Sequence, residues 1–268
     1  MRFAALTIAA KVRAMWRTRA LSGAVAVMLG AGLTGLTGCS SGPATPSITV
    51  FAAASLRPAF TEIAEQFKTD HPGVAVEFNF AGSSDLATQL TQGARADVFA
   101  SANTAQMDKV AQPGLLDGEA VPFATNTLVI VTAPGNPHAV RSFADLAAPG
   151  LAVVVCQPPV PCGAATRKVE DATGVRVNPV SEEPDVTDVL NKVTTGQADA
   201  GVVYRTDAIN AGDRVVTVAF PEAAGAVNTY PVGVLKDAAQ PGPAKQFVDL
   251  VTGAAGQKIL HAAGFGKP

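Results

Sequence analysis

Two serines of this chain each follow an apolar, strand-like run and precede an amphipathic segment. Ser55 follows Ile48-Thr49-Val50-Phe51, and Ser83 follows a run that ends at Phe80. The first N–H groups of a helix have no intrahelical partner and lie at the positive end of its dipole, so a serine there adds a hydroxyl donor to an anion site. The alternative is that Ser55, Ser83 and Ser84 are ordinary helix N-caps. Because open α/β sheets bind ligands at the carboxyl ends of their strands, two such serines favour a small-anion site.

Tyr204 is a third candidate for ligand binding. It is one of two tyrosines in the chain and ends the apolar run Asp199-Ala200-Gly201-Val202-Val203-Tyr204. Its phenol would add another neutral donor, or it is a half-buried core aromatic whose hydroxyl reaches water. The aspartates near these motifs are interpreted as first-turn helix charges or outward-facing residues rather than ligands: Asp85, Asp185 and Asp207.

The composition excludes several classes of partner. The formal net charge is -2, and no basic run occurs after residue 19. We therefore expect no binding of nucleic acid or of an extended anionic surface, and a small partner instead. Neither Ser55 nor Ser83 lies in a Gly-x-Ser-x-Gly elbow or begins a Ser-x-x-Lys motif, so an exported serine hydrolase is a remote alternative and we predict that the protein is not an enzyme. A purely structural surface lipoprotein would leave the paired serines unexplained.

The amino-terminal 38 residues are typical of a targeting segment. Arg13, Arg17 and Arg19 precede the apolar run at residues 24–29, which leads to Leu36-Thr37-Gly38-Cys39. This last motif resembles a lipobox, so we predict a lipoprotein signal peptide over residues 1–38, lipidation of Cys39 and export to the outer face of the cytoplasmic membrane. Residues 39–47 are polar and rich in proline, which indicates a flexible tether. An uncut membrane anchor is the alternative, and Met15 is an alternative start to Met1.

Two cysteines remain after Cys39. Because Cys156 and Cys162 are an even pair in an oxidising location, we expect a disulfide between them. The alternative is two free thiols in a metal site, but no CxxC motif occurs and the histidines lie in unrelated contexts. We expect no directly ligated metal and no cofactor.

The remaining chain, about 220 residues, alternates β-branched runs with helix-like segments, which is typical of an α/β protein with mainly parallel sheets. We predict two doubly wound α/β lobes joined by two chain crossings that form a hinge. Lobe I comprises residues 48–126 plus 218–268, and lobe II residues 127–217. Strands are predicted at 48–51, 74–80, 97–100, 127–131, 151–155 and 199–204, and the chain is predicted to return through 215–218 and 230–235; helices are predicted to begin near Ser55, Ser83, Pro161 and Asp185.

Several motifs carry a resemblance to a known family. They are similar, in order and spacing over nearly the whole mature chain, to motifs of the periplasmic molybdate-binding proteins of ABC transporters, here of a lipid-anchored, actinobacterial type. The motifs are Val50-Phe51-Ala52-Ala53-Ala54-Ser55-Leu56, Phe80-Ala81-Gly82-Ser83-Ser84, Ala96-Asp97-Val98-Phe99-Ala100-Ser101-Ala102, Val160-Pro161-Cys162-Gly163, Glu183-Pro184-Asp185-Val186 and Gly201-Val202-Val203-Tyr204-Arg205-Thr206-Asp207-Ala208.

The resemblance implies a type II periplasmic binding protein fold and an oxyanion held between its lobes. Carried over motif by motif, it implies contacts from Ser55 and Ser83 by hydroxyl and N–H, from Cys162 and Val186 by N–H, and from Tyr204 by its phenol. Cys162 departs from the family pattern, which often has alanine there. The partners implied are a membrane permease and an ATPase on separate chains, since this chain has no Walker motif, and the receptor itself is expected to be a monomer.

Neutral donors suit a fully deprotonated ligand. Molybdate, tungstate and sulfate are bare dianions at neutral pH and offer only acceptors, whereas phosphate usually keeps a proton and needs an acceptor. Because burial of a dianion is costly, charge-assisted hydrogen bonds must surround it, and closure of both lobes would supply them. A receptor for sulfate, thiosulfate or iron is the near alternative, and molybdate and tungstate cannot be separated from the sequence.

Overall fold

The computed structural model describes residues 46–268, so the predicted signal peptide, Cys39 and nearly all of the tether lie outside the described residues. Within 46–268, no helix is long and apolar enough to cross a bilayer. The ten strands of these residues form two five-stranded sheets, and helices pack against both. This is the mixed α/β architecture with two lobes that the alternating pattern predicts.

The first sheet has the strand order β2-β1-β3-β10-β4. β1 pairs in parallel with β2 and β3, whereas β10 runs antiparallel to β3 and β4. Residues in the centre of this sheet are buried on both sides, which explains why its strands are almost continuously apolar. The strands are β1 (Ser47–Ala53), β2 (Ala75–Ala81), β3 (Val98–Ala100), β4 (Val121–Asn126) and β10 (Asn228–Val234).

The second sheet has the order β7-β6-β8-β5-β9. β6 pairs in parallel with β7 and β8, and β5 runs antiparallel to β8 and β9. Each sheet therefore has a parallel half and an antiparallel half. The strands are β5 (Leu128–Thr132), β6 (Val153–Cys156), β7 (Ser181–Glu183), β8 (Ala200–Tyr204) and β9 (Val216–Val218).

Five helices pack with the first sheet and three with the second. Short 3₁₀ helices precede α1, at Ala54–Leu56, and precede β10, at Pro221–Ala226. The segments α3, α6, β4 and β7 were not predicted from the sequence. The first group is α1 (Arg57–Asp70), α2 (Ser83–Thr91), α3 (Thr104–Ala111), α7 (Pro241–Thr252) and α8 (Ala254–Ala262); the second is α4 (Pro161–Thr173), α5 (Val186–Thr194) and α6 (Arg205–Ala211).

Each lobe has its own hydrophobic core. In the first lobe the ring of Phe60 lies 5.8–6.3 Å from the rings of Phe78, Phe123 and Phe247, in tilted and edge-on contacts that suit aromatic quadrupoles. The core of the second lobe is mainly aliphatic and contains the buried valines and leucines of β5, β6, β8 and α5. The two lobes therefore do not depend on one shared core.

The chain crosses between the two sheets twice, and both crossings lie at one place. β4 ends at Asn126 in the first sheet and β5 begins at Leu128 in the second, while β10 starts in the first sheet at Asn228, directly opposite Asn126. The predicted return at residue 218 is wrong by about ten residues. Val218 pairs with Ile130 of the second sheet, and the 3₁₀ helix that follows packs in the second core. A strand of three residues carries no signal for which sheet it joins.

Candidate functional site

A small cavity lies between the two lobes, and it leaves about 10 Å³ for the centre of a water-sized sphere. The five residues predicted to contact the ligand all line this one cavity, although they are far apart in the sequence. Their contacts with an ion remain a prediction. The lining residues are Ala53, Ala54, Ser55, Gly82, Ser83, Ala102, Val160, Pro161, Cys162, Asp185, Val186 and Tyr204.

Ser55 lies in the 3₁₀ helix between β1 and α1, and its side chain is buried. The residue before this helix is Ala53, and no side chain caps the helix or the α1 start. Instead the Ser55 hydroxyl lies 3.0 Å from the hydroxyl of Tyr230 on β10. The alternative that Ser55 is an ordinary N-cap is therefore wrong.

Ser83 is the first residue of α2, whose N-cap is Gly82. Its buried hydroxyl oxygen accepts a hydrogen bond of 2.9 Å from the N–H of Ala102, in the loop after β3. This hydrogen bond joins the start of α2 to the loop after β3 and does not cap a helix. Ser84 also forms no cap; its buried hydroxyl has no hydrogen-bond partner among the described residues and does not line the cavity.

The second lobe presents two helix starts to the cavity. Pro161 is the first residue of α4 and has no N–H, so the first backbone donor of α4 is Cys162. Val186 is the first residue of α5, and the carboxylate of its N-cap Asp185 accepts the N–H of Asp188. The N–H groups of Cys162 and Val186 thus belong to first turns, which have no intrahelical acceptor.

A disulfide joins Cys156, at the end of β6, to Cys162, with 5.8 Å between their Cα atoms. It closes the short loop that leads into α4. Gly163 follows directly, and a Cβ there would lie 2.0 Å from the carbonyl oxygen of Gln157, so only glycine fits. Both features fix the backbone at the α4 start.

Tyr204 ends β8 and is almost fully buried. Its hydroxyl oxygen accepts a hydrogen bond of 2.6 Å from the side-chain amide of Asn228. Burial, together with the neighbouring Tyr230 and Asp207, raises the pKa of the Tyr204 phenol well above its usual value, so the phenol keeps its proton.

Asp207 lies in the first turn of α6, as one of the two alternatives from sequence has it, and it does not face outward as the other has it. It is buried and accepts the N–H of Tyr204 at 3.1 Å. Burial, with a contribution from the charge of Asp185, raises the pKa of Asp207 to about 7.

Sequence reasoning missed three polar side chains around this site. Tyr230 contacts Ser55, Asn228 contacts Tyr204, and the amide of Asn126 donates to Thr206 at 2.8 Å and to Tyr230 at 3.4 Å. A possible signal was present, since Asn228-Thr229-Tyr230 is a polar start to an otherwise apolar strand. The contacts of these three side chains, however, depend on where the chain re-enters the first sheet as β10.

The cavity has the chemistry of an anion site without cationic side chains. Its lining contains hydroxyls and helix-start N–H groups, and Asp185 is its one charged residue. No lining residue is a histidine, and the hydroxyl next to Ser55 is a phenol whose pKa is raised by burial, which is not a general base. The geometry therefore suits binding of a small, acceptor-rich ligand rather than hydrolysis by Ser55 or Ser83.

Residues 48–266 match the family model described as bacterial extracellular solute-binding protein. The chain belongs to this family. It is thus an exported solute-binding receptor by family, and the cleft between two lobes is the expected place for the solute. A group of three or more His, Cys, Asp or Glu residues able to hold a metal ion does not occur within 46–268.

Relatives give the comparison more detail. The chain is 63% identical over 254 residues to the molybdate-binding protein ModA of Mycobacterium tuberculosis, covering 92% of this chain and 97% of the relative. The periplasmic molybdate-binding protein of Azotobacter vinelandii has a similar structure, with a TM-score of 0.72 and 25% identity, covering 82% of this chain and 99% of that one. The sulfate-binding protein SubI of Mycobacterium tuberculosis shares the fold, with a TM-score of 0.70, 20% identity and coverage of 82% and 86%.

Proposed function

We propose that this protein is the receptor of an ABC importer that captures molybdate, and also tungstate, between its lobes and delivers it to a membrane permease. One observation carries the proposal. Five donors from motifs spread over the chain converge on one small cavity that has no cationic lining, in a chain 63% identical to a molybdate-binding protein. The permease and its ATPase are separate chains.

Each lobe would supply part of the ligand shell. We assign Ser55 and Ser83 of the first lobe to the ion through their hydroxyls and N–H groups. We assign Cys162 and Val186 of the second lobe through their N–H groups, and Tyr204 through its phenol. Several charge-assisted hydrogen bonds, each contributing about 1.5–3 kcal/mol, together with the positive ends of two helices, offset the cost of removing a dianion from water.

The lobes are in contact around the cavity, so the structure represents a closed arrangement. The side-chain amide of Gln106 on α3 donates to the carbonyl oxygen of Pro159 at 2.7 Å, and Gly82 lies against the carbonyl of Pro184. In our proposal the ligand enters when these contacts open and is released to the permease when they open again. The crossings at Asn126 and Asn228 are the natural hinge.

The attachment to the membrane is part of the same proposal. A lipid on Cys39 would hold the receptor at the outer face of the cytoplasmic membrane, and residues 39–47 would act as the tether. No separate cofactor is needed to bind a preformed oxyanion, and we expect a monomer.

A sulfate or thiosulfate receptor is the second candidate. It is favoured by the similar fold of a sulfate-binding protein, and sulfate is also a dianion without a proton. The two functions differ in the ion size that the same donors would accept.

Thermal unfolding of residues 46–268 with molybdate, tungstate, sulfate, phosphate or no ligand tests the proposal. At a ligand concentration a thousandfold above the dissociation constant, stabilisation of about 4 kcal/mol is expected, or on the order of 10 °C for a domain of this size. A shift with molybdate and tungstate supports the proposal. A larger shift with sulfate moves the protein to the second candidate, and no shift with any of them rejects both.

A further inference from the structure

Two side chains of β10, Asn228 and Tyr230, contact hydroxyls that line the cavity although neither side chain lines it. They are two positions apart on one strand, so their side chains point to the same face. Both are buried, and their partners are Tyr204 and Ser55. Hydroxyls can donate or accept, so the direction of these two hydrogen bonds decides what the cavity offers to a ligand.

The direction of the Tyr204 hydrogen bond follows from the amide of Asn228. The amide nitrogen of Asn228 lies 3.0 Å from the carbonyl oxygen of Ala102 and 3.2 Å from that of Pro161. Carbonyl oxygens only accept, so the atom between them must be the NH₂ group. At 2.6 Å this nitrogen can only donate to the phenol oxygen of Tyr204, so one of its two N–H bonds is shared between two acceptors. The Tyr204 proton therefore points away from Asn228, toward the neighbouring hydroxyl of Tyr230 or toward a ligand in the cavity.

The direction of the Ser55 hydrogen bond follows in the same way from Asn126. The amide oxygen of Asn126 accepts the N–H of Thr127 at 3.0 Å, so its NH₂ group faces Thr206 and Tyr230. A buried phenol proton needs an acceptor. The Tyr230 hydroxyl faces Asn126, which can only donate to it, Tyr204, whose oxygen already accepts from Asn228, and Ser55, which can accept. Tyr230 therefore donates to Ser55.

We propose that Tyr230 and Asn228 are positioning residues that make the hydroxyls of Ser55 and Tyr204 hydrogen-bond donors toward the ligand. This inference rests on the proposed function and explains its selectivity. The direction of the Ser83 hydroxyl is fixed in the same way, because its oxygen accepts the N–H of Ala102. When a ligand is bound, all three hydroxyls can direct their protons to it, and the site matches an oxyanion with acceptors only. A ligand that carries a proton finds no hydroxyl acceptor there.

A double-mutant cycle tests whether Tyr230 acts through Ser55. The variants are Tyr230→Phe, Ser55→Ala and the double variant, and the dissociation constant for molybdate is measured by calorimetry. Phenylalanine keeps the ring contacts with Phe123 and Phe265. We expect Tyr230→Phe to weaken binding about tenfold in the wild-type background, as for loss of one oriented charge-assisted hydrogen bond, and less than about twofold when Ser55 is already alanine.

The matching cycle for the second pair uses Asn228→Ala and Tyr204→Phe. The expected pattern is the same, and it keeps the inference testable if Tyr230→Phe fails to fold. Thr132→Val, which removes a buried hydroxyl bonded to the backbone away from the cavity, controls for general loss of stability.

The results separate the two levels of the proposal. Suppose that the wild-type protein binds molybdate and that the losses of binding free energy are additive in both cycles. This inference is then overturned and the proposed function stands. The same holds if Tyr230→Phe and Asn228→Ala bind molybdate as tightly as the wild type. If wild-type protein binds neither molybdate, tungstate nor sulfate, the proposed function fails and this inference fails with it.

Discussion

The two halves of the cavity supply the same kind of group by different means. The first lobe presents the side-chain hydroxyls of Ser55 and Ser83, each held by a hydrogen bond from another part of the fold. Apart from the phenol of Tyr204, the second lobe presents backbone N–H groups at Cys162 and Val186, where side-chain identity does not determine the donor. The first half should therefore be sensitive to side-chain chemistry and the second half to backbone position.

The halves also differ in charge. The acidic residues near the cavity, Asp185 and Asp207, both belong to the second lobe. One is an N-cap whose carboxylate accepts a backbone N–H, and the other is buried beside Tyr204. The one carboxylate that lines the cavity, Asp185, is therefore on this side, and the two helix starts must outweigh its charge for an anion to bind.

Ser83→Ala should give the largest loss, because it removes a hydroxyl donor from the first half and leaves the N–H of Ala102 without its acceptor. A charge-assisted hydrogen bond contributes about 1.5–3 kcal/mol, so the dissociation constant for molybdate should rise roughly 10- to 150-fold. Calorimetric titration measures this change.

Ser84→Ala is the matched control for Ser83→Ala. Ser84 is the next residue of the same helix, and its hydroxyl neither lines the cavity nor has a partner among the described residues. Equal losses for the two variants would contradict a role of the Ser83 hydroxyl in binding and indicate damage to α2 as a whole.

Gly82→Ala tests the place where the two halves touch. A Cβ at residue 82 would lie 2.2 Å from the carbonyl oxygen of Pro184, so alanine should prevent full closure. Overpacking of this kind costs about 1–3 kcal/mol, which corresponds to a dissociation constant roughly 5- to 150-fold higher. The melting temperature without ligand should change little, because opening of the lobes relieves the clash.

Gly242→Ala is the control, since a Cβ there has no atom within 4 Å and the residue lies at the start of α7. If Gly82→Ala binds as tightly as Gly242→Ala, closure against Pro184 is not required for binding.

The sequence predicted which residues of the first half line the cavity, but it did not predict the contacts that fix their hydroxyls. Ser55 and Ser83 stand out because each follows a strand and opens a helical segment, and these local signals placed both at the cavity. The residues that fix their hydroxyls were not predictable locally. Ser55 and Tyr230 are 175 positions apart, and Ser83 and Ala102 are 19 apart. Such contacts depend on how the strands are ordered in the sheet.

The fold shows the same limit. Long apolar runs such as β6 and β8 were recognisable, because strands buried on both faces are continuously hydrophobic. β4 and β7 are partly exposed and lack that signal. The return of the chain was placed at Val218 because a valine-rich segment there is typical of a strand, but periodicity does not tell which sheet the strand joins.

Asp207→Asn tests the charge asymmetry. The folded pKa of about 7 lies above the ordinary aspartate value of 3.8, so the folded protein binds more protons between these values and loses stability as pH rises through this window. Asparagine can still accept the N–H of Tyr204 without carrying charge. Relative to wild type, the variant should gain stability between about pH 4 and 7 and keep that gain, at most a few kcal/mol, above pH 7.

Urea unfolding at pH 5, 6, 7 and 8 measures that difference. A gain that does not depend on pH would show that Asp207 is not titrating in this range. Molybdate affinity at pH 8 should rise slightly in the variant, because a negative charge near the second half is removed.

Val186→Ala should give the smallest change in the dissociation constant, and its comparison with Val186→Pro is the most direct test of a backbone donor. Val186→Ala keeps the N–H, so the dissociation constant should change about twofold or less, although loss of buried methyl groups lowers stability by about 1–2 kcal/mol. Val186→Pro removes the N–H at the first position of a helix, where proline is tolerated, and the preceding Asp185 already has an extended backbone. This variant should bind roughly tenfold more weakly with α5 intact, as judged by circular dichroism. If alanine weakens binding as much as proline does, the second half depends on its side chains after all, and the distinction between the two halves is lost.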